Sequence, residues 1–277
     1  MVASALYQAH PIKLRPQLGL VPIGMNPVTK LWEFYELRSA WDPATVPDPA
    51  ALEIPVHDTE GKIAVGDDTG FVFVLLPGGT FMMGAQNESK DKPNYDADAS
   101  DYGTVHPETL APFFLARHEL TLGQWQRLGG KRAENLRRTG DTYPNADVDW
   151  FTSDALLRAR GLTLPTRAQW EYGCRATTTT PWWTGADAAS LGDELKELRL
   201  VGSGRANAFG LFEVHGNVWE WCLDRLDLGS SSYRVIRGGS FRDDPGSARS
   251  AFRLDCAPTS RDVNLGARPA RASLLDD

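Results

Sequence analysis

Cysteine is scarce in this chain: Cys174, Cys222 and Cys256 are the only three, and they lie far apart. Their spacing excludes a CxxC metal knuckle and an even disulfide framework, and is what reduced thiols in a cytoplasmic protein show. Histidine is also sparse, five in all, and His106, His118 and His215 show no HxH or HxxxH spacing, so no histidine metal centre is expected. Basic runs are absent and the formal charge is -7, which argues against nucleic acid as a partner. No apolar stretch is long enough to cross a bilayer, and the N-terminus lacks a basic start followed by an uninterrupted apolar core, so neither membrane nor secretion is indicated. There is no GxSxG elbow, P-loop or Rossmann fingerprint to offer a familiar reaction.

What the chain does have is 26 glycines and nine tryptophans in 277 residues, a balance that favours loops anchored by large aromatics over a helical bundle. Residues 1–65 are proline-rich without sustained periodicity and read as an extended arm, whose aromatics at 31–41 pack it onto, or link it to, a main domain at 66–277. Within that domain, TGFVFVLLPGGTF (69–81) and PFFLARHE (112–119) read as strands. Thr121 with Gln124 and Thr166 with Gln169 are two capping boxes, each predicting a short helix. Short strands and two main helices make an α+β domain. The polar stretch 87–104 reads as a solvated loop, and TTTTPWW (177–183) as packing beneath a loop or the wall of a cleft.

The most informative stretch is RVIRGGSFRDDPGSARSAFRLDCAPTSRDVNLGAR, 234–268. Gly238 and Gly239 permit positive φ or a close backbone approach, Pro245 and Pro258 fix φ, and Arg249, Arg253, Arg261 and Arg268 can fork onto carbonyls or carboxylates. Between these stand residues with neither helical nor strand periodicity, as in a surface loop system carrying binding residues. They are Arg242, Asp243, Asp244, Gly246, Ser247, Phe252, Leu254, Asp255, Cys256, Ala257, Thr259, Ser260, Asp262, Val263 and Asn264.

RGGSF, LGARPAR, LPTRAQWEYGCRA, FGLFEVHGNVWEW and LPGGTFMMGA together resemble the formylglycine-generating-enzyme family over roughly 72–271. The resemblance implies a C-type-lectin-like fold with short antiparallel sheets, two main helices and much irregular loop. It also implies a structural calcium ion held by Glu213, the carbonyls of Gly216 and Val218, and Glu220, a hard-oxygen set. Glu213 stands where the family has Asn, and a second family site is put in doubt by Ser190 where Asn is expected. The copper-binding cysteine pair of the family falls on Asp243 and Ala248, so no copper is expected, because neither can supply a thiolate to a cuprous ion.

The layout further resembles the variable proteins of diversity-generating retroelements, in which adenine replacement in a template cannot yield Glu, Lys, Gln, Met or Trp. None of those five types occurs from Leu223 onward. The expectation is therefore a non-catalytic ligand-binding protein with a diversified segment at 241–268, taking a protein or small-molecule ligand. The alternatives are an oxygen-dependent modifying enzyme with another metal arrangement, requiring Cys256, or an accessory or sensor module of a larger signalling protein.

Overall fold

The apolar run at 69–81 folds as two strands separated by a tight turn. In the computed structural model, which describes residues 5–8, 12, 14–99, 104–132, 140–228 and 231–272, all six residues of the first strand, FVFVLL, are buried. A strand apolar on both faces belongs in the middle of a covered sheet, and this one is the third of five.

In chain order the elements are α1 (Ala5–Gln8), β1 (Leu20–Met25), β2 (Trp32–Glu36), α2 (Leu37–Ala40), β3 (Phe71–Leu76), β4 (Gly79–Met83), β5 (His106–Leu110) and β6 (Phe113–Ala116). There follow α3 (Leu122–Arg127), α4 (Trp150–Arg158), α5 (Arg167–Arg175), β7 (Trp219–Leu228), β8 (Ser231–Arg237), β9 (Leu254–Cys256), β10 (Leu265–Gly266) and β11 (Ala270–Ala272). The five-stranded sheet runs β1-β2-β3-β6-β11 and is antiparallel throughout. The second sheet runs β10-β7-β8-β9, with β10 parallel to β7 and the other pairs antiparallel. β4 and β5 form a separate ribbon.

Two expectations change here. Residues 1–65 are more than an arm laid on the surface: β1 and β2 form a hairpin that extends the main sheet at β3. Pro22 and Gly24 flank a register shift in that hairpin, which breaks the alternation that would have marked a strand. And α4 joins the two predicted helices, with Asp149 as its N-cap accepting from the Thr152 amide. Both capping boxes are formed as predicted, at Thr121–Gln124 and Thr166–Gln169.

The core lies between the sheets and under α5, and includes Phe73, Phe113, Phe114, Trp170 and Trp221. Each such side chain stabilises the fold by about 2–3 kcal/mol through removal from water. α5 approaches so closely that a Cβ on Gly173 would come within 2.6 Å of Leu115, so glycine there is a packing requirement.

Candidate functional site

The segment 241–268 is suspended between β8 and β11 and held from beneath by a set of arginines. Arg237, at the end of β8, is buried and donates to the carbonyl of Phe252 at 2.9 Å and to Glu171 on α5 at 2.8 Å. Burial disfavours the Glu171 charge, but Arg175 and Arg237 together hold its carboxyl below the usual value, so the triad stays ionised. The chain then turns on Gly238 (φ +99°) and Gly239 (φ +71°), where a Cβ on Gly239 would meet the Ala248 backbone at 3.1 Å.

Ser240 and Asp243 form the next fixed point. Asp243 accepts from the Ser240 hydroxyl and, at 2.9 Å, from the Trp219 indole; Asn264 donates to the Ser240 oxygen at 2.8 Å. Asp244 caps the 3-10 turn Pro245–Ala248. Arg249 reaches Asp96 at 3.0 Å and Asp98 at 2.5 Å, so the 87–99 stretch, expected as a solvated loop, is docked on this segment instead. Trp182 closes the same corner by donating to the Pro245 carbonyl. On the other side Trp150 of α4 donates its amide to Pro258, and Arg261 pairs with Asp149.

Of the fifteen predicted contact positions none is buried. Arg242, Asp244, Leu254, Asp255, Thr259 and Asp262 are exposed, and the other nine are half-buried. Of the residues between them, Ala248, Ser250, Ala251, Leu265 and Ala267 are buried, whereas Arg249, Arg253 and Pro258 are half-buried and Pro245 and Arg261 exposed. Asp243 and Asn264 direct their polar groups into the framework, and Phe252 packs its ring 6.1 Å from Trp219 against the core. Leu254 is the outward apolar side chain of β9, at 43% exposure. Sequence reasoning missed Phe151, 52% exposed on α4 beside the Pro258 segment; an aromatic immediately after a capped helix start was its only signal.

The predicted calcium ligands come from the loop after Gly210. Glu213 accepts from the amides of Gly202 and Gly204 at 2.9 and 3.0 Å, and burial pushes its carboxyl up to about 7. Both oxygens of Glu220 are engaged by Arg268, at 2.7–3.0 Å, and one also accepts from the Trp170 indole at 2.6 Å. Arg268 is fully buried and caps the carbonyls of Ala116, Arg117 and Phe212 as well. Among the described residues no three His, Cys, Asp or Glu side chains converge as a metal-binding group. The carboxylate oxygens of this set are thus engaged by protein donors.

Cys174 and His215 come within 3.8 Å of each other, the spacing of a nucleophile and base. Both are buried, and burial pushes the thiol up to about 12 and the imidazole down to about 3. Near neutral pH each is uncharged, so the pair generates no thiolate. Cys256 is half-buried on β9, Asp243 is half-buried and Ala248 is buried.

Residues 66–273 match the family model described as the sulfatase-modifying factor enzyme 1-like domain. A formylglycine-generating enzyme of Streptomyces coelicolor is 29% identical over 182 residues, 53% of this chain and 57% of that protein. The inactive C-alpha-formylglycine-generating enzyme 2 of Bos taurus is 31% identical over 153 residues, 46% of this chain and 50% of that one. The chain thus spans about half the length of these curated relatives. Among solved structures, PvdO from Pseudomonas aeruginosa superposes with a TM-score of 0.60 at 24% identity, over 73% of this chain and 95% of that one. Treponema denticola variable protein 1 does so with 0.57 at 19% identity, over 73% and 96%. Motifs, fold and family model agree: the chain belongs to the sulfatase-modifying factor enzyme 1-like family and has its C-type-lectin-like α+β fold.

Proposed function

We propose that this chain is a non-catalytic ligand-binding protein that displays residues 241–268 as a diversified surface, in the manner of the variable proteins of diversity-generating retroelements. The observation that carries the reading is the alternation along the segment. Ala248, Ser250, Ala251, Leu265 and Ala267 are buried anchors, while none of the fifteen positions between them is buried and six are exposed; Asp243, Asp244, Phe252 and Asn264 are the ones that also bond or pack to the framework. Such a surface can change side chains while keeping its backbone. The sequence from Leu223 onward lacks the five residue types that adenine replacement cannot produce, and the family includes relatives named as inactive as well as enzymes. The ligand would be a protein or a small molecule, and the scarce, unpaired cysteines favour a cytoplasmic setting. Among the described residues no helix is long and apolar enough to cross a membrane.

Deep sequencing of codons 241–268 in the source population, compared with codons 200–237, tests this reading. Substitutions concentrated at the named positions in NNC codons are expected, and an invariant stretch would overturn it. Family membership with a formylglycine-generating enzyme favours a second reading, an oxygen-dependent modifying enzyme. That reading requires a redox metal in the purified protein that is lost on Cys256→Ser, since Asp243 and Ala248 offer no thiolate.

A further inference from the structure

A cavity of about 910 Å³ lies far along the chain from the display segment, where residues 35–56 face 67–69, 123–127 and Asp141. Its first wall falls before residue 66, where the family match begins, and its second wall lies inside that match, so the cavity sits where the added residues meet the family domain. The volume lies within the range of pockets that hold small organic ligands or a few residues of peptide.

Its lining has three parts. Asp42, Glu53, Asp67, Asp68 and Asp141 supply carboxylates, and among the described residues the first four have no cation within ion-pair distance. The one cation on the wall, Arg127, spends three of its five N–H donors on the carbonyls of Ser39, Asp67 and Thr69, at 2.6, 2.6 and 2.9 Å, and its single charge faces Asp42, Asp68 and Asp141 together. Val46, Leu52 and Ile54 provide an apolar strip. The third part is Tyr35, 4% exposed, whose oxygen accepts from the Gly70 amide at 2.9 Å. Burial keeps its phenol protonated, and no described residue accepts that proton. The phenol lies close enough to Arg127 and Asp68, both on the cavity wall, to interact with their charges.

A buried donor without an acceptor is costly unless a ligand or water completes it. The carboxylates do not converge as a metal-binding group, and a small hard cation would leave the apolar strip unused. A lysine or arginine side chain fits all three parts. Its aliphatic stem lies on Val46, Leu52 and Ile54, its charge sits among the carboxylates, and the carbonyl of its own peptide accepts from Tyr35.

We propose that this cavity binds a peptide segment bearing a lysine or arginine, anchored by the Asp67 and Asp68 carboxylates and by the Tyr35 hydroxyl. The full chain would be titrated by NMR with acetyl-Gly-Lys-Gly-amide and acetyl-Gly-Arg-Gly-amide. The norleucine analogue keeps the carbonyls and loses the charge, and spermidine keeps charge and loses the carbonyls. Saturable binding of at least one basic peptide is expected, with the norleucine peptide and spermidine each about tenfold weaker or more. The exposed pair Asp67→Asn and Asp68→Asn should weaken peptide binding about tenfold with an unchanged unfolding midpoint. Tyr35→Phe should bring the peptide down to the level of spermidine. Absence of saturable binding by both basic peptides, binding that survives the double substitution, or spermidine binding as tightly as the peptides would each overturn the proposal.

Discussion

Arg268 is the residue on which the two sheets meet. It is fully buried, forks onto Glu220, and satisfies three carbonyls from β6, the residue following it and the 212 loop. Removing one partner of a buried ion pair leaves the other desolvated and uncompensated, at about 3–5 kcal/mol. Arg268→Met should therefore lower the unfolding free energy from urea titration by that amount, and Arg268→Lys, which keeps the charge but not the fork, should fall between. Glu213 titrates in the opposite sense to a salt-bridged acid. Burial lifts its carboxyl to about 7, helped by nearby Glu194 and opposed by the Gly202 and Gly204 amides and Arg268. Between about pH 4.5 and 7 the unfolded chain is ionised there while the folded chain holds its proton. The stabilisation from Glu213 is thus complete below that window and is lost as pH rises through it. Glu213→Gln should flatten the pH dependence of unfolding in that interval; an unchanged profile would place the titration elsewhere. That spaced arginines would grip carbonyls and carboxylates was legible in the sequence. Their partners were not, because Glu220 in a WEW motif looks the same whether it faces a metal ion or an arginine 48 residues on.

At the scale of elements, the segment after β8 should separate sharply under mutation. Asp243 receives an indole and a hydroxyl proton in a half-buried corner, so Asp243→Ala should cost about 1–3 kcal/mol. Leu254→Ser, on the outward face of β9, should change stability by less than about 0.5 kcal/mol. Parallel urea titrations check both, and comparable losses would mean that the outer positions are structural. Turn and cap chemistry carried the sequence reading furthest. Both capping boxes and the Gly238–Gly239 turn were visible because short-range hydrogen bonds and positive φ leave residue-level marks. α4 escaped because Thr152 stands at the position where a box would need Glu or Gln. The β1–β2 hairpin escaped because its bulge interrupts period two.

For the whole molecule, the C-type-lectin-like architecture followed from five ordered motifs, whereas the docking of 87–99 on Arg249 and the cavity at 35–56 depend on pairings across 60 residues or more. The buried carboxylates of the Gly210–Cys222 stretch are held by Arg268, indole and backbone donors. Addition of EGTA should accordingly leave the thermal midpoint unchanged, and a clear fall, restored by calcium, would show that these donors give way to the metal.

The place of β11 beside β6 has a consequence for how variants would be screened in the cell. The segment 241–268 is translated before the strand that completes the five-stranded sheet, and all of its variable positions before Arg268. A nonsense or frameshift event inside 241–268 would leave β6 with an open edge, Glu220 unpaired and a core that cannot close. Such products would be left to chaperones and proteases, while in-frame changes at outward positions would pass. Under the proposed diversification, folding itself would act as the reading-frame check.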